Sequence, residues 1–470
     1  MGFQLLASGA TVASTYGWDT VSAVRIGDMN RAIVEASSSP KAFQQAIDGA
    51  EAHVSADFGD WQIDNGGDGR LIHLTLPLRN IQARYQAQTW RGDAVARVEV
   101  QLHFLPHALL QSDGISQRHQ LVLRTTPTQE NLPVANVLDL LFDAPDSDPG
   151  AIFSALVKLG LKDWLCANLD RFTHVFATVN IYQMITDDAF NWLKPTYATY
   201  VFLAKPNPDE SIFGILCRTG KRSYDSLIEQ ISPYAIPEGA SSGFLLAPER
   251  MLSDMMARSL PTMLQGLHLK DIKVDEARRS LSVDKTVPLQ RITDKDGRTF
   301  QPMLEKLQVE LRERELIMSS TISTVVSPGI RSVGESQSFF HIGLVTKPDG
   351  TRTLGYRESR PAIKRDYIRK NEGVVIFEWM LLVGALIVGI ATFWTGFGVG
   401  LIIAALVIGG ATITLEVIEA VHNDDAPAID LFVNQATDSI SWGNAPAFQL
   451  TSAELNGALQ IGGEFTGKGQ

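Results

Sequence analysis

Two cysteines in 470 residues, Cys166 and Cys217, leave little to build a disulfide framework from. Both sit in apolar runs (DWLCANL and IFGILCR). One pair cannot staple a chain of this length, so no oxidising compartment is implied, and the spacing is not that of a metal site. A basic excess is missing as well. Forty-one Lys and Arg face 52 Asp and Glu, for a net charge of −11. That excludes a general nucleic-acid binder, which needs a basic face to displace counterions. The N-terminus, MGFQLLASGATVAS, lacks the basic region and long apolar core of a secretory signal. Leu6 stands where a myristoylation motif wants Ser or Thr. The expectation is synthesis in the cytoplasm, with any release by lysis or an unusual route.

A catalytic constellation is also lacking. The nine histidines do not cluster. Asp64-Asn-Gly-Gly-Asp-Gly69 hints at a calcium loop, but Gly66 and Thr75 occupy positions where ligands are needed, so it reads as a polar turn. Gly334-Glu-Ser336-Gln-Ser338 lacks the second glycine of a nucleophile elbow. Gly396, Gly398 and Gly400 follow no strand and suit close helix approach better than nucleotide binding. His422-Asn-Asp-Asp425 reads as a solvated loop, and His174 as a satisfied sheet residue. The reading is a non-enzyme with no cofactor and no metal.

What the chain does have is length for two or three domains, 45% hydrophobic residues and 20% charged ones, a globular balance. Asp19 is placed to cap a helix running to about Ala36, and Ser39 and Pro40 to open a second short one carrying Phe43 and Ile47. From Trp61 the period changes to two. Ile72, Leu74, Leu76 and Leu78, then Val98, Val100, Leu102 and Phe104, alternate with polar residues, which predicts antiparallel strands with one dry face. A helix is expected over about 150–169, then strands, then the clearest apolar stripe: Met251, Leu252, Met255, Met256, Leu260, Met263 and Leu264, with Pro261 as a kink. Strands resume through Leu307–Leu311, Phe339–Val345 and Thr351–Tyr356. A strand at Ile429–Val433 and a short helix from Thr451, with Glu454 at capping-box spacing, close the chain. This helix-then-strands order occurs twice. It predicts an α+β fold of long amphipathic helices on curved antiparallel sheets, as an N-terminal lobe over 1–240 and a C-terminal lobe over 241–470.

One stretch stands apart. Between Glu378 and Glu416 there is no charged side chain. The Thr395-Gly-Phe-Gly-Val-Gly400 break divides Gly373–Val421 into two arms, the first roughly 31 Å long as a helix at about 1.5 Å per residue. That approaches the roughly 30 Å of a bilayer core. The expectation is an apolar helical hairpin inserted over 373–421. It is open to three readings: spanning or entering a membrane, stored against the protein until released, or simply buried. Trp379, Phe393, Trp394 and Phe397 are its candidate membrane contacts. The preceding stretch, Lys347–Lys370, carries eight cations against three carboxylates. Lys364, Arg365, Arg369 and Lys370 are candidates for anionic head groups. Alternatively, Glu416, Glu419, Asp424 and Asp425 at the far end of the hairpin neutralise them.

Five segments, TYGWDT (15–20), NLDRFTHVFATVNI (168–181), WLKPTYATY (192–200), IPEGASSGFLLAPERML (236–252) and AFQLTSAELNGALQIGG (447–463), are specific as a set. Through them the chain resembles the forty-seven-kilodalton protein family of clostridial neurotoxin gene clusters. The resemblance implies a bacterial source and the tubular lipid-binding (TULIP) superfamily, in which a strongly bent sheet wraps a long helix and lipid lies in the seam. It implies a non-enzymatic lipid- or membrane-binding accessory protein, with the Met251–Leu264 stripe as the lipid seam. A lipid or membrane surface and other toxin-cluster proteins are the implied partners, and the basic stretch before the hairpin points to anionic lipids among them. The alternatives are a structural subunit of a toxin-cluster complex, and a pore former that inserts the hairpin.

Overall fold

Period-two patterning dominates the chain, and most of it forms antiparallel strands in curled, half-barrel sheets with few helices. The computed structural model describes residues 2–4, 12–47, 49–67, 69–106, 116–128, 133–143, 150–182, 190–373, 375–376, 378–408, 415–422, 428–443 and 448–465. In Leu71–Tyr85 (β1) and Gln88–Pro106 (β2), Ile72 pairs with Val100 and Leu74 with Val98. These four side chains are buried while their neighbours are wetter, the alternation a one-sided core demands. The remaining strands of this nine-stranded sheet include Ala42–Ile47, Ala52–Phe58, Ser116–Leu123, Ala135–Phe142 and Ala177–Tyr182. Helix α1 (Ile26–Glu35) buries Ile26, Met29 and Ile33. Helix α2 (Gly150–Asn168) lies on the sheet and brings Trp164 against Phe43 and Phe58.

The larger sheet has 14 strands. Its long members are Met303–Arg312 (β3), Glu315–Ser327 (β4), Ile330–Thr346 (β5) and Arg352–Lys370 (β6), paired in that order. Thr20–Arg25 lies between Ile212–Thr219 and Ser242–Leu246, and the last of these also pairs with Ala458–Phe465. Continuous sheet therefore runs across residue 240. One helical run, α3, consists of Pro248–Arg250, a π-helical turn Met251–Met256, and Ala257–Met263. Helix α4 (Glu378–Ile408) lies against β4, β5 and β6, α5 (Leu415–His422) packs on α4, and α6 (Asp430–Asp438) follows.

Several expectations fail for identifiable reasons. Ala42–Ile47 is a strand, not a helix, because Phe43 and Ile47 bury on alternate positions beside Ala52–Phe58. Asp19 caps no helix. It is buried at the start of a strand, where it accepts hydrogen bonds from Arg218 and the Thr219 amide at 2.9 Å each. Thr451 and Glu454 lie in strand Phe448–Asn456, closed by a tight turn onto Ala458–Phe465 in which Gly457 has φ +77°. Residues 429–433 begin α6 instead of forming a strand. Most consequentially, 395–400 is helical. Helix α4 runs unbroken through the glycines for 31 residues, so the expected pair of equal arms is not seen. Residues 409–414, between α4 and α5, lie outside the described residues.

Candidate functional site

Helix α4 is two different helices along one axis. In its C-terminal half, Phe397, Val399, Leu401, Ile402, Ile403, Ala404 and Ala405 are buried on every side. Glycines make this packing possible. A Cβ at 398 would collide with the Met318 and Met256 side chains, and one at 400 would come within 2.8 Å of Ile418 in α5. In the N-terminal half, Met380, Val383, Ile387 and Ala391 bury at helical spacing, with Gly384 beside them. They sit on β5, where Gly334 lets the helix close onto the strand: a Cβ there would come within 2.7 Å of the Val388 amide nitrogen. Hydroxyls complete the seat. Ser320 donates to the Ala391 carbonyl at 2.7 Å, and Ser338 and Thr395 hydroxyls lie 3.0 Å apart.

The opposite face of that half is apolar and uncovered. Leu381, Leu382, Leu386 and Phe393 are exposed, Leu382 by 74%, with Ala385 and Gly389 between them. Val375 and Ile376 extend the patch N-terminally. Within α4, Met380–Ala405 has a mean hydropathy of 2.1 over 26 residues. Length and composition suffice to cross a membrane, a test that buried core helices also pass. Of the residues expected to touch membrane, Phe393 is exposed and Trp394 half-buried, but Phe397 is buried under Trp394 with ring centroids 4.6 Å apart. The Trp379 side chain lies outside the described residues. Sequence reasoning missed Leu381, Leu382 and Leu386. No pattern could have singled them out, because α4 is apolar on all faces.

The four basic candidates do not form one patch. In β6 they alternate across the pleat. Asp366 lies beside Gly384 of α4, so Lys364 and Lys370, in phase with it, share the α4 side. Arg365 and Arg369 project from the other face, both against the ring of Tyr367. Arg369 bonds Glu305 at 3.2 Å and the Tyr367 hydroxyl at 2.8 Å, and Arg331 bonds Glu305 at 3.0 Å. Burial alone would raise the Glu305 carboxyl; the Ser323 hydroxyl and the two guanidinium groups outweigh it and hold the group below its ordinary range. The Tyr367 bond raises Arg369 above an ordinary arginine. Among the described residues, the carboxylate that meets Arg369 on this face is Glu305 of β3. Glu416, Glu419, Asp424 and Asp425 have side chains outside the described residues.

The methionine stripe is core. Met251, Leu252, Met255, Met256, Leu260 and Leu264 are buried among β3, β4 and α4, and Met263 packs at the margin. Side chains fill this seam. Open cavities of about 290 and 320 Å³ lie elsewhere, lined by polar residues such as Gln101 and Arg124, and Gln308 and Thr321. Within α3, Asp254 is a buried carboxylate held by Arg250 at 2.7 Å and Arg258 at 2.9 Å, each one helical turn away. Among the described residues no group of three or more His, Cys, Asp or Glu is placed to hold a metal. Ser336 lies mid-strand in β5, and Asp64 pairs with Arg97, which fits the polar-turn reading.

These features define a curled antiparallel-sheet protein whose conspicuous surface is an exposed apolar helix face. Residues 15–463 match the family model described as OrfX-like, Protein OrfX2/OrfX3/P47, and the chain belongs to that family. It is 28% identical to Protein OrfX3 of Paraclostridium bifermentans, over 97% of this chain and 99% of that one. It is also 28% identical to Protein OrfX3 of Clostridium botulinum (strain Kyoto / Type A2), over 96% and 98%. The structure of P47 from Clostridium botulinum A2 superposes with a TM-score of 0.68 at 16% identity, covering 96% of this chain and 98% of that one. P47 of Clostridium botulinum E1 gives 0.66 at 14%, covering 96% and 100%. At those identities the likeness is one of fold.

Proposed function

We propose that the protein is a non-enzymatic accessory protein of a bacterial toxin gene cluster that docks on lipid surfaces through the N-terminal half of α4. The observation that carries this reading is the uncovered apolar face of Leu381, Leu382, Leu386 and Phe393 on a helix anchored by its other half. Burying what they expose is favourable by about 4 kcal/mol. Lys364 and Lys370, on the α4 side of β6, supply attraction for anionic head groups. In this reading lipid is met at the surface and not carried in the seam, which Met256 and Met318 close against Gly398. The bent sheet around α4 supports the TULIP comparison at the level of architecture. The filled seam favours, as second reading, a structural subunit whose α4 face meets another toxin-cluster protein.

The test is flotation with phosphatidylcholine vesicles containing phosphatidylserine. The native chain floats, and the Leu382→Glu, Leu386→Glu variant partitions about a hundredfold less, since roughly 1.4 kcal/mol is tenfold. Equal flotation of both, or of neither, overturns the proposal.

A further inference from the structure

Strand β6 has a free edge. Among the described residues it pairs with β5 alone, and its other side is met only at its start, where the Ile429 amide donates to the Arg352 carbonyl at 3.0 Å. Pro361 interrupts the row of amides at a bulge, since Phe339 pairs with Arg360 but Gln337 with Ile363. Beyond it, from Ile363 to Lys370, the register is continuous. That is eight residues, longer than the five or six of an ordinary strand. Residues 363–366 are all exposed, although Asp366 lies beside Gly384 of α4.

An uncovered edge is a template for another strand. Here its charge decides which strand. Within 363–370 four cations, Lys364, Arg365, Arg369 and Lys370, accompany one carboxylate, Asp366. Across the pairing Arg365 stands opposite Glu335 and Arg369 reaches Glu305, so the segment keeps a net positive charge. The pleat places the cations on both faces, Arg365 and Arg369 on one, Lys364 and Lys370 on the other. A second copy laid antiparallel would bring cation opposite cation at about 5 Å, which is destabilising. An extended segment with Asp or Glu at successive positions would meet opposite charge on either face.

We infer that residues 363–370 of β6 form a docking edge for an extended acidic segment of a partner protein, joined by strand addition. Backbone bonds supply the affinity and the four cations the selectivity. The same charges keep copies of this chain from pairing edge to edge.

The test uses the full chain and an alternating glutamate–valine peptide, followed by fluorescence polarisation. Two control peptides are alternating lysine–valine, and the acidic peptide N-methylated at every second residue. The acidic peptide binds and slows amide exchange within 363–370. The lysine peptide does not bind. N-methylation, which keeps charge but removes donors, weakens binding at least tenfold. The Arg365→Glu, Arg369→Glu variant, checked for an unchanged unfolding midpoint, binds about tenfold more weakly, from two cross-strand charge pairs. Three outcomes overturn the inference: no binding of the acidic peptide, equal binding of its N-methylated form, or binding without protection of 363–370. None of these arms contains lipid, so they leave the vesicle result independent.

Discussion

Helix α4 should respond to the same kind of truncation very differently at its two ends. Ile402 is fully buried against the α3 and β4 methionine core, whereas Leu382 is 74% exposed. Ile402→Ala removes buried hydrocarbon and leaves a cavity that neighbours cannot collapse into, a loss of about 3.5 kcal/mol. Leu382 surrenders only about a quarter of its surface to the fold. At roughly 2 kcal/mol for complete burial, Leu382→Ala costs about 0.5 kcal/mol. The difference of about 3 kcal/mol is a shift of about 1 M in urea midpoint, for a slope near 3 kcal/mol per molar. Tryptophan fluorescence of the two variants, unfolded in parallel in the absence of lipid, measures it. Equal shifts would refute the reasoning. If both were small, the C-terminal half would not be core; if both were large, the N-terminal face would be covered.

Other expectations follow from single sites. Burial pushes the His174 imidazole down to about 4. The unfolded chain therefore takes up this proton first, near pH 6.5, and stability falls from there to about pH 4 by up to about 3 kcal/mol; His174→Phe should flatten that part of a urea-midpoint profile against pH. Asp254→Ala leaves Arg250 buried without its carboxylate and should cost about 3–5 kcal/mol, read by denaturant unfolding. Gly334→Ala forces a methyl against the α4 backbone at Ile387 and Val388 and should cost about 1–3 kcal/mol, with faster amide exchange in 380–391.

The strands were legible wherever one face is dry: Ile72 to Leu78 and Val98 to Leu102 read correctly because alternation is a consequence of one-sided burial. The Met251–Leu264 stripe was legible as a helix, though not its π-turn. Short segments were misread where a local signal competed with pairing. Ser39-Pro40 resembles a helix start, and Thr451 with Glu454 a capping box, but both segments gain more by pairing with the strand that follows them. The glycines at 396–400 were misread for a related reason. They look like a turn because glycine is a poor helix former. In the structure Gly398 and Gly400 are places where Met318, Met256 and Ile418 approach too closely for a side chain, while Gly396 has no such neighbour. The exposed face of α4 was illegible in principle, because hydropathy does not distinguish a residue facing the core from one facing outward when both are leucine. The basic residues of β6 were legible as a cluster, while their division between two faces needed the register.

The surface role of α4 is tested most directly at Leu382 itself. Burial pushes the Cys217 thiol up to about 12 and keeps it unreactive, so Leu382→Cys in a Cys166→Ser background can carry one environment-sensitive fluorophore. Ile152→Cys, on the exposed side of α2, serves as the control. The account predicts a blue shift at 382 on adding anionic vesicles and none at 152. An unchanged spectrum at 382, or equal shifts at both positions, would contradict it.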